Sequence, residues 1–191
     1  MYARRVGERE LTFDFAAGLL RDNLVFVDRE TSSVWSQLYG VAVSGPLTGT
    51  PLRVVPSMQT TWKFWREIHP DTRVMMVEGE KGKPYLYRNR KPGTPPPERR
   101  PTRHDTSALG LGLVIGGKAM FFPFRELKRG LMPLRVMLGG QEITLYYRKK
   151  ALTAWAEDAQ GKLLPGILAY KNGWMAFKPD SEVYRRGRSK R

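Results

Sequence analysis

The chain has 191 residues, no cysteine and a formal net charge of +15, from 33 Lys and Arg against 18 Asp and Glu. This length suits one large domain or two small ones with a buried core, and the lack of cysteine excludes disulfides, thiolate metal sites and cysteine nucleophiles. No apolar run reaches the ~20 residues that span a bilayer, and none follows the basic start of the chain, as a signal peptide requires.

The first part of the chain is predicted to consist of short strands and turns. A Gly-containing turn separates two strands within residues 2–15. The segment LTFDF alternates Leu11, Phe13 and Phe15 with polar residues, which is the period of a strand with these three on one face. Further strands are expected at 24–28, at 34–43 as one or two strands around Gly40, at 52–55 and at 72–78.

The segment TTWKFWREIHPDT gives the clearest helix prediction. Thr60 or Thr61 can cap the N-terminus by accepting from free backbone N–H groups. Trp62 and Trp65 are three residues apart and share a face. Pro70 cannot continue the helix and ends it.

A change in composition separates this part from the rest of the chain. Residues 79–107 are rich in Pro, Gly and charge, which predicts an exposed connection. The segments 111–124 and 134–148 each contain a Gly-Gly turn between two strands, typical of hairpins. A third hairpin is expected at 151–166, and a short helix near 172–177 precedes a last strand.

A ten-residue block occurs twice at a constant offset. WREIHPDTRV at 65–74 aligns with WMAFKPDSEV at 174–183, with Trp, Pro, Asp and Val identical. We infer two related halves that each end in this block. The predicted fold class is mainly β with a few short helices, a β-rich α+β protein of two related halves packed together. The expected organisation is a first, incomplete half at 1–78, the connection at 79–107, a second half at 108–184 and a basic tail at 185–191.

Several motifs resemble a known family. LTFDF, DRETSSVWSQLYGVAVSGPLTG and TTWKFWREIHPDTRV resemble domain-of-unknown-function family 3179, uncharacterised bacterial and archaeal proteins. The resemblance covers about residues 11–75 strongly and 109–184 more weakly. Similar members carry a Cys-Pro-x-Cys-Gly-like segment before the first strand, and many look exported. This sequence has neither feature, so the resemblance implies an N-terminally truncated chain with an exported full-length form. It implies no chemistry.

The candidate site centres on the DRETSSVWSQ stretch and the predicted helix. Its Asp, Ser and Thr residues are explained first as turn residues, and ligand contact is the alternative. Gln37 stands out because a buried Gln needs partners at both ends of its amide. His69 aligns with Lys178, which favours a cation at a helix end. The candidate ligand-binding residues are Asp28, Arg29, Ser33, Trp35, Gln37, Trp62, Trp65 and His69.

Three function hypotheses stay open. The first is a β protein that binds an unknown ligand or protein partner. The second is an enzyme of unknown reaction that uses Asp28, His69 and Asp71. The third is a nucleic-acid or anionic-surface binder driven by the basic charge, in which nucleic acid is the less favoured partner because no recognition motif accompanies the charge. Two His and scattered carboxylates predict no metal site, and no motif predicts a cofactor.

Overall fold

A computed structural model describes residues 1–21, 23–74 and 108–186, and it confirms the mainly β prediction. The predicted connection at 79–107 lies outside the described residues, as do 187–191 of the predicted tail and 75–78 of a predicted strand. We call the described residues up to 74 the N-terminal part and residues 108–186 the C-terminal part. No helix within these ranges is long and apolar enough to cross a membrane.

The N-terminal part contains a small hairpin and a four-stranded antiparallel sheet with strand order β3-β4-β5-β6. One helix follows the sheet, capped at Thr61, whose Oγ1 accepts from the backbone N–H of Phe64 at 3.4 Å. The elements are β1 (Arg5–Val6), β2 (Arg9–Glu10), β3 (Phe13–Leu20), β4 (Asn23–Asp28), β5 (Val34–Ser36), β6 (Val41–Ser44) and α1 (Trp62–Ile68).

One prediction for the N-terminal part is wrong, and another is confirmed without the burial that often accompanies it. The expected strand at 52–55 is reduced to isolated bridges, such as the one between Tyr2 and Val54. Phe13 and Phe15 lie on one face of β3, because their ring centroids are 6.2 and 6.3 Å from that of Phe26, but Phe15 is 77% exposed. β3 is an edge strand with an irregular register beyond Phe15, so that alternation in the sequence does not translate into burial there.

The C-terminal part contains two sheets, two short α-helices and a 3-10 helix at Lys149–Ala151. One sheet has the order β12-β7-β8-β13, in which β13 runs parallel to β8, and the other has the antiparallel order β11-β10-β9. The elements are β7 (Leu109–Ile115), β8 (Lys118–Pro123), α2 (Phe124–Leu127), β9 (Leu134–Leu138), β10 (Gln141–Arg148), β11 (Thr153–Glu157), β12 (Gly166–Tyr170), α3 (Lys171–Phe177) and β13 (Glu182–Val183).

The third predicted hairpin is only partly present. The turn forms, because the N–H of Gly161 donates to the carbonyl of Asp158 at 3.0 Å. The returning chain then makes a single bridge to β11, and β12 pairs with β7 in the other sheet. Pro165 has no N–H to continue a ladder, and Gly166 lets β12 approach Leu111 of β7, where a Cβ would lie 2.7 Å from Leu111 Cδ1.

The two parts have separate cores and share a third. Among the described strands, those of each part pair only within that part. The shared core packs Leu38 of the N-terminal part with Phe121, Trp174 and Phe177 of the C-terminal part. The relatedness of two halves and their boundaries stay predictions.

Candidate functional site

The DRETSSVW stretch is organised around the buried carboxylate of Asp28, which lies at the end of β4. Its Oδ2 accepts from the indole Nε1–H of Trp35 at 2.7 Å, and its Oδ1 accepts from the N–H of Thr31 at 2.6 Å. The hydroxyl of Thr31 also lies 2.8 Å from Oδ1. Asp28 is 0% exposed, so the carboxylate ties β4, the turn and β5 together where no solute reaches it.

These hydrogen bonds decide the charge state of Asp28. Burial alone would raise the pKa of the carboxyl, but donation from Trp35, Thr31 and the backbone of Ser33 outweighs burial and lowers the pKa below its usual value. The ionised form is therefore the one that the fold stabilises.

Ser33 and Arg29 complete this loop in different ways. Ser33 is buried, and its Oγ accepts from the N–H of Leu47 at 3.1 Å, which joins the loop to the turn after β6. Gly45 in that turn has a φ of +90°, and a Cβ there would lie 2.7 Å from Ser33 Cα, so only glycine fits. Arg29 is exposed and makes a bidentate ion pair with Asp14, with Nε–Oδ2 2.6 Å and Nη2–Oδ1 2.8 Å.

A second group of predicted residues lies on α1, separately from this loop. The ring of Trp65 lies against that of His69, with centroids 4.2 Å apart and planes tilted by 43°, and its Nε1–H donates to Thr72 Oγ1 at 2.8 Å. Trp62 is 52% exposed and borders a shallow surface hollow. The structure thus does not bring the α1 residues to the Asp28 network.

Gln37, the last predicted residue, is exposed at the turn after β5. Its backbone carbonyl accepts from the phenol of Tyr2 at 2.6 Å. Burial raises the pKa of the Tyr2 phenol, so the group stays a neutral donor. Gln37 and Tyr2 both border a cleft of 650 Å³ between the N-terminal and C-terminal parts.

The inter-part cleft, as we call this space, is larger than two other hollows of the molecule, of 250 Å³ beside Leu131 and 460 Å³ beside Trp62. Its C-terminal wall is formed by β12, the start of α3 and Trp155 of β11. Its N-terminal wall comes from the start of β4, the turn after β5 and the segment 54–59. A cleft of this volume is in the range that holds small ligands.

The lining of the cleft combines apolar, aromatic and amide side chains. The apolar side chains include Ile167, Leu168 and Ala169 of β12. The aromatic and polar side chains of the lining are Tyr2, Arg21, Asn23, Gln37, Ser57, Gln59, Trp155, Tyr170 and Asn172. None of the described lining residues is Asp, Glu or His.

Arg21 and Asn23, like Tyr2, are held in place by contacts within the protein. The guanidinium of Arg21 donates to the carbonyl of Ala176 and lies 5.8 Å from the ring centroid of Phe177. The amide nitrogen of Asn23 donates to the carbonyl of Arg21 at 2.8 Å. The amides of Gln37, Gln59 and Asn172 belong to exposed residues and are open to a bound molecule.

The sequence-based site shares only Gln37 with the cleft. The remaining lining comes from segments more than 100 positions apart, such as 54–59 and 166–176. Trp155 and Asn172 do not belong to any sequence motif that would predict a binding site. Across the residues that the structure describes, no group of three or more His, Asp and Glu is arranged to hold a metal ion.

Comparison with known families gives a match over most of the chain. The sequence model described as "Protein of unknown function (DUF3179)" matches residues 1–181. No curated protein and no solved structure matches the chain.

Proposed function

The chain belongs to the DUF3179 family of proteins of unknown function, and we propose that it is a binding protein for a small, hydroxyl-rich ligand that is neutral or anionic. The observation that carries the proposal is the 650 Å³ inter-part cleft with its amide and aromatic lining. The ligand would lie between the two parts, with Gln37 at the edge of the site.

The amides in the cleft favour a ligand with many hydroxyl groups. Each side-chain amide offers both donors and an acceptor, and Gln37, Gln59 and Asn172 present three of them from three separate segments. A hydroxyl group also donates and accepts, so it can pair with either end of an amide. Binding of such a ligand is therefore supported by hydrogen bonds rather than by ion pairs.

The remaining lining favours a ring-shaped ligand without positive charge. Trp155 stacks on Tyr146 with centroids 5.0 Å apart and planes 10° apart, so its orientation is fixed before a ligand arrives. An immobile aromatic wall suits the apolar face of a sugar-like ring. The only charged side chain in the described lining is Arg21, which disfavours cationic ligands.

The same lining supports binding rather than catalysis. General acid–base chemistry most often uses a positioned His, Glu or Asp, and the described lining contains none of these. Of its two tyrosines, Tyr2 already donates its phenol proton to the carbonyl of Gln37, and Tyr170 is half exposed. The alternative hypothesis of an enzyme relies on residues that include Asp28 and His69. Asp28 is fully buried and its carboxylate is occupied by hydrogen bonds within the loop, and His69 lies at the end of α1, away from that loop.

Binding can be tested with the purified chain by calorimetry and by Trp fluorescence, because Trp155 lines the cleft. Neutral oligosaccharides, uronic-acid oligosaccharides and amino-sugar oligosaccharides would be compared. We expect binding of members of the first two groups and none of the third. The double variant Q59L/N172L should weaken binding about 10-fold or more, since each lost hydrogen bond contributes about 0.5–1.5 kcal/mol.

Gln141→Leu is the matched control, because Gln141 is also an exposed amide but does not line the cleft. It should bind as the unchanged chain does. Absence of binding to all three groups, or equal losses in Q141L and Q59L/N172L, would reject the inter-part cleft as the site.

A further inference from the structure

A second surface of the molecule combines protruding apolar residues with a cluster of cations. It is the corner between α2 and β9, where the sequence reads LKRGLMPLR over residues 127–135. The uncharged tip GLMPL lies between Lys128 and Arg129 on one side and Arg135 on the other. We call residues 128–135 the basic corner.

The corner is anchored on both sides of its most exposed residue. Leu127 is buried, and the N–H of Gly130 donates to its carbonyl at 3.2 Å. Met132 and Leu134 pack against the core of the C-terminal part. Leu131 lies between these anchors and is 88% exposed, so a fixed loop holds a leucine side chain out into solvent.

Cations surround this leucine. The guanidinium of Arg186 donates to the carbonyl of Arg129, which brings the end of the described chain to the corner. Arg186 and Arg135 line the same 250 Å³ hollow as Leu131. Lys128 and Arg129 are exposed beside it.

Three carboxylates occur near the corner, and among the described residues none makes an ion pair with its cations. Glu126 lines the hollow, but its side chain is only 14% exposed and lies 3.5 Å from Arg125 Nε. Glu142 pairs across the strands with Met137, further along β9. Glu157 lies on the far side of β10 from Arg135, since both pair with Thr144, and its Oε1 accepts from the indole of Trp155 at 3.0 Å. The exposed face around Leu131 is therefore positively charged.

We propose that the basic corner docks the protein on an anionic lipid surface, with Leu131 inserted among the headgroups and the surrounding cations facing the lipid phosphates. Charge complementarity selects the partner: an anionic bilayer attracts clustered Lys and Arg, and its interface also takes up an apolar side chain. A nucleic-acid backbone would use the cations but would leave Leu131 in water.

The test is co-sedimentation of the full chain with vesicles of phosphatidylcholine alone and of phosphatidylcholine with phosphatidylserine. We expect binding only to the phosphatidylserine vesicles, weakening as salt is raised. The triple variant R129Q/R135Q/R186Q should reduce the partition coefficient on the order of 100-fold, from roughly fivefold per cation near the surface. Leu131→Ser should reduce it on the order of 10-fold.

The control R9Q/R53Q/K63Q removes the same charge from exposed residues of the N-terminal part. It should lose much less affinity than R129Q/R135Q/R186Q. Circular dichroism and thermal melting check folding of each variant, and R135Q alone, with an expected loss of roughly fivefold, replaces the triple variant if that one is unfolded.

Three results would overturn docking at the basic corner. The first is no binding of the unchanged chain to phosphatidylserine vesicles. The second is an equal loss in the two triple variants, which would indicate nonspecific charge attraction. The third is unchanged vesicle binding by L131S together with tighter binding of a DNA duplex, which would identify a polyanion site instead.

Discussion

The two helix–turn segments that share a sequence block have the same local structure. In each, the helix ends at a residue whose N–H donates to the carbonyl of the tryptophan four positions earlier, His69 to Trp65 and Lys178 to Trp174. In each, the indole Nε1–H donates at 2.8 Å to a hydroxyl seven positions later, on Thr72 or Ser181. The block at 65–74 and the block at 174–183 thus form the same turn in two different surroundings.

Burial distinguishes the two segments. Trp174 is 1% exposed and packs with Phe121 and Phe177 in the core shared by the two parts. Gly112 of β7 lies against its ring, where any Cβ would collide with the indole. No residue of α1 is buried, and Trp65 is only partly covered. The same turn is thus a core element in one place and a surface element in the other.

The largest expected contrast comes from removing the two indoles. Trp174→Ala should lower the free energy of unfolding by about 3–5 kcal/mol, because it leaves a large cavity in a closed core. Trp65→Ala should cost about 1–2 kcal/mol, since the site is open and can relax. Urea unfolding of both variants measures the difference. Equal losses would show that α1 is as well packed as α3.

A third indole, that of Trp35, sharpens the comparison because its acceptor is the Asp28 carboxylate. Asp28→Asn should cost about 1.5–3 kcal/mol at pH 7, since hydrogen bonds to a charged group are lost. The pKa of Asp28 is lowered in the fold. Its ionised form therefore contributes stability that is fully present above the unfolded pKa of about 3.9. That contribution is lost as the pH falls from there through the folded pKa.

The measurement is the free energy of unfolding of the unchanged chain and D28N between pH 7 and pH 3. The difference in the free energy of unfolding between the unchanged chain and D28N should become smaller only below about pH 4. The hydroxyl acceptors of Trp65 and Trp174 do not titrate in this range, so Thr72→Val and Ser181→Ala should show no such narrowing. A gap that is constant with pH would contradict the role given to the Asp28 carboxylate.

Removal of the hydroxyl groups that accept from Trp174 and Trp65 should have a smaller effect on stability than removal of the indoles. The indole of Trp174 is buried with Ser181, whereas that of Trp65 is only partly covered beside Thr72. Ser181→Ala leaves a buried N–H without an acceptor and should cost about 1–3 kcal/mol. Thr72→Val should stay within about 0.5 kcal/mol, because water can replace the hydroxyl there. Thermal denaturation of the pair tests this, and a larger shift for T72V would reverse the ranking of the two turns.

The smallest contrast concerns the residues that end the two helices. Lys178 Nζ lies 4.9 Å from the ring centroid of Tyr39, whereas His69 is exposed. Loss of this cation–aromatic contact in Lys178→Gln should cost about 0.5–1 kcal/mol. His69→Gln should stay within about 0.5 kcal/mol, as expected of a surface substitution. Thermal melting of both variants measures the two costs.

The control is the same substitution in a Tyr39→Leu background, where the effect of K178Q on stability should vanish. If it persists, the cation–aromatic contact does not explain the cost.

The candidate site illustrates the limit of reading residues one by one. The sequence predicts turn residues in DRETSSVW, with ligand contact as the alternative, and Asp28, Ser33 and Trp35 are buried in the loop's own hydrogen bonds. Gln37 borders the cleft, but as an exposed residue rather than a buried one. Trp155 and Asn172 were missed because the wall that they form exists only when distant segments meet.

The sequence by itself determined the features that depend on neighbours in the chain. The Thr61 cap, the Gly-Gly turns of both hairpins and the helix followed by a Pro-Asp turn are set by backbone conformation and hydrogen bonds within a few residues. Only the tertiary structure decided which tryptophan is buried, which sheet β12 joins and where a cleft opens. Burial and strand pairing depend on surfaces that come together from distant parts of the chain. The local periodicity of the sequence does not identify those partners.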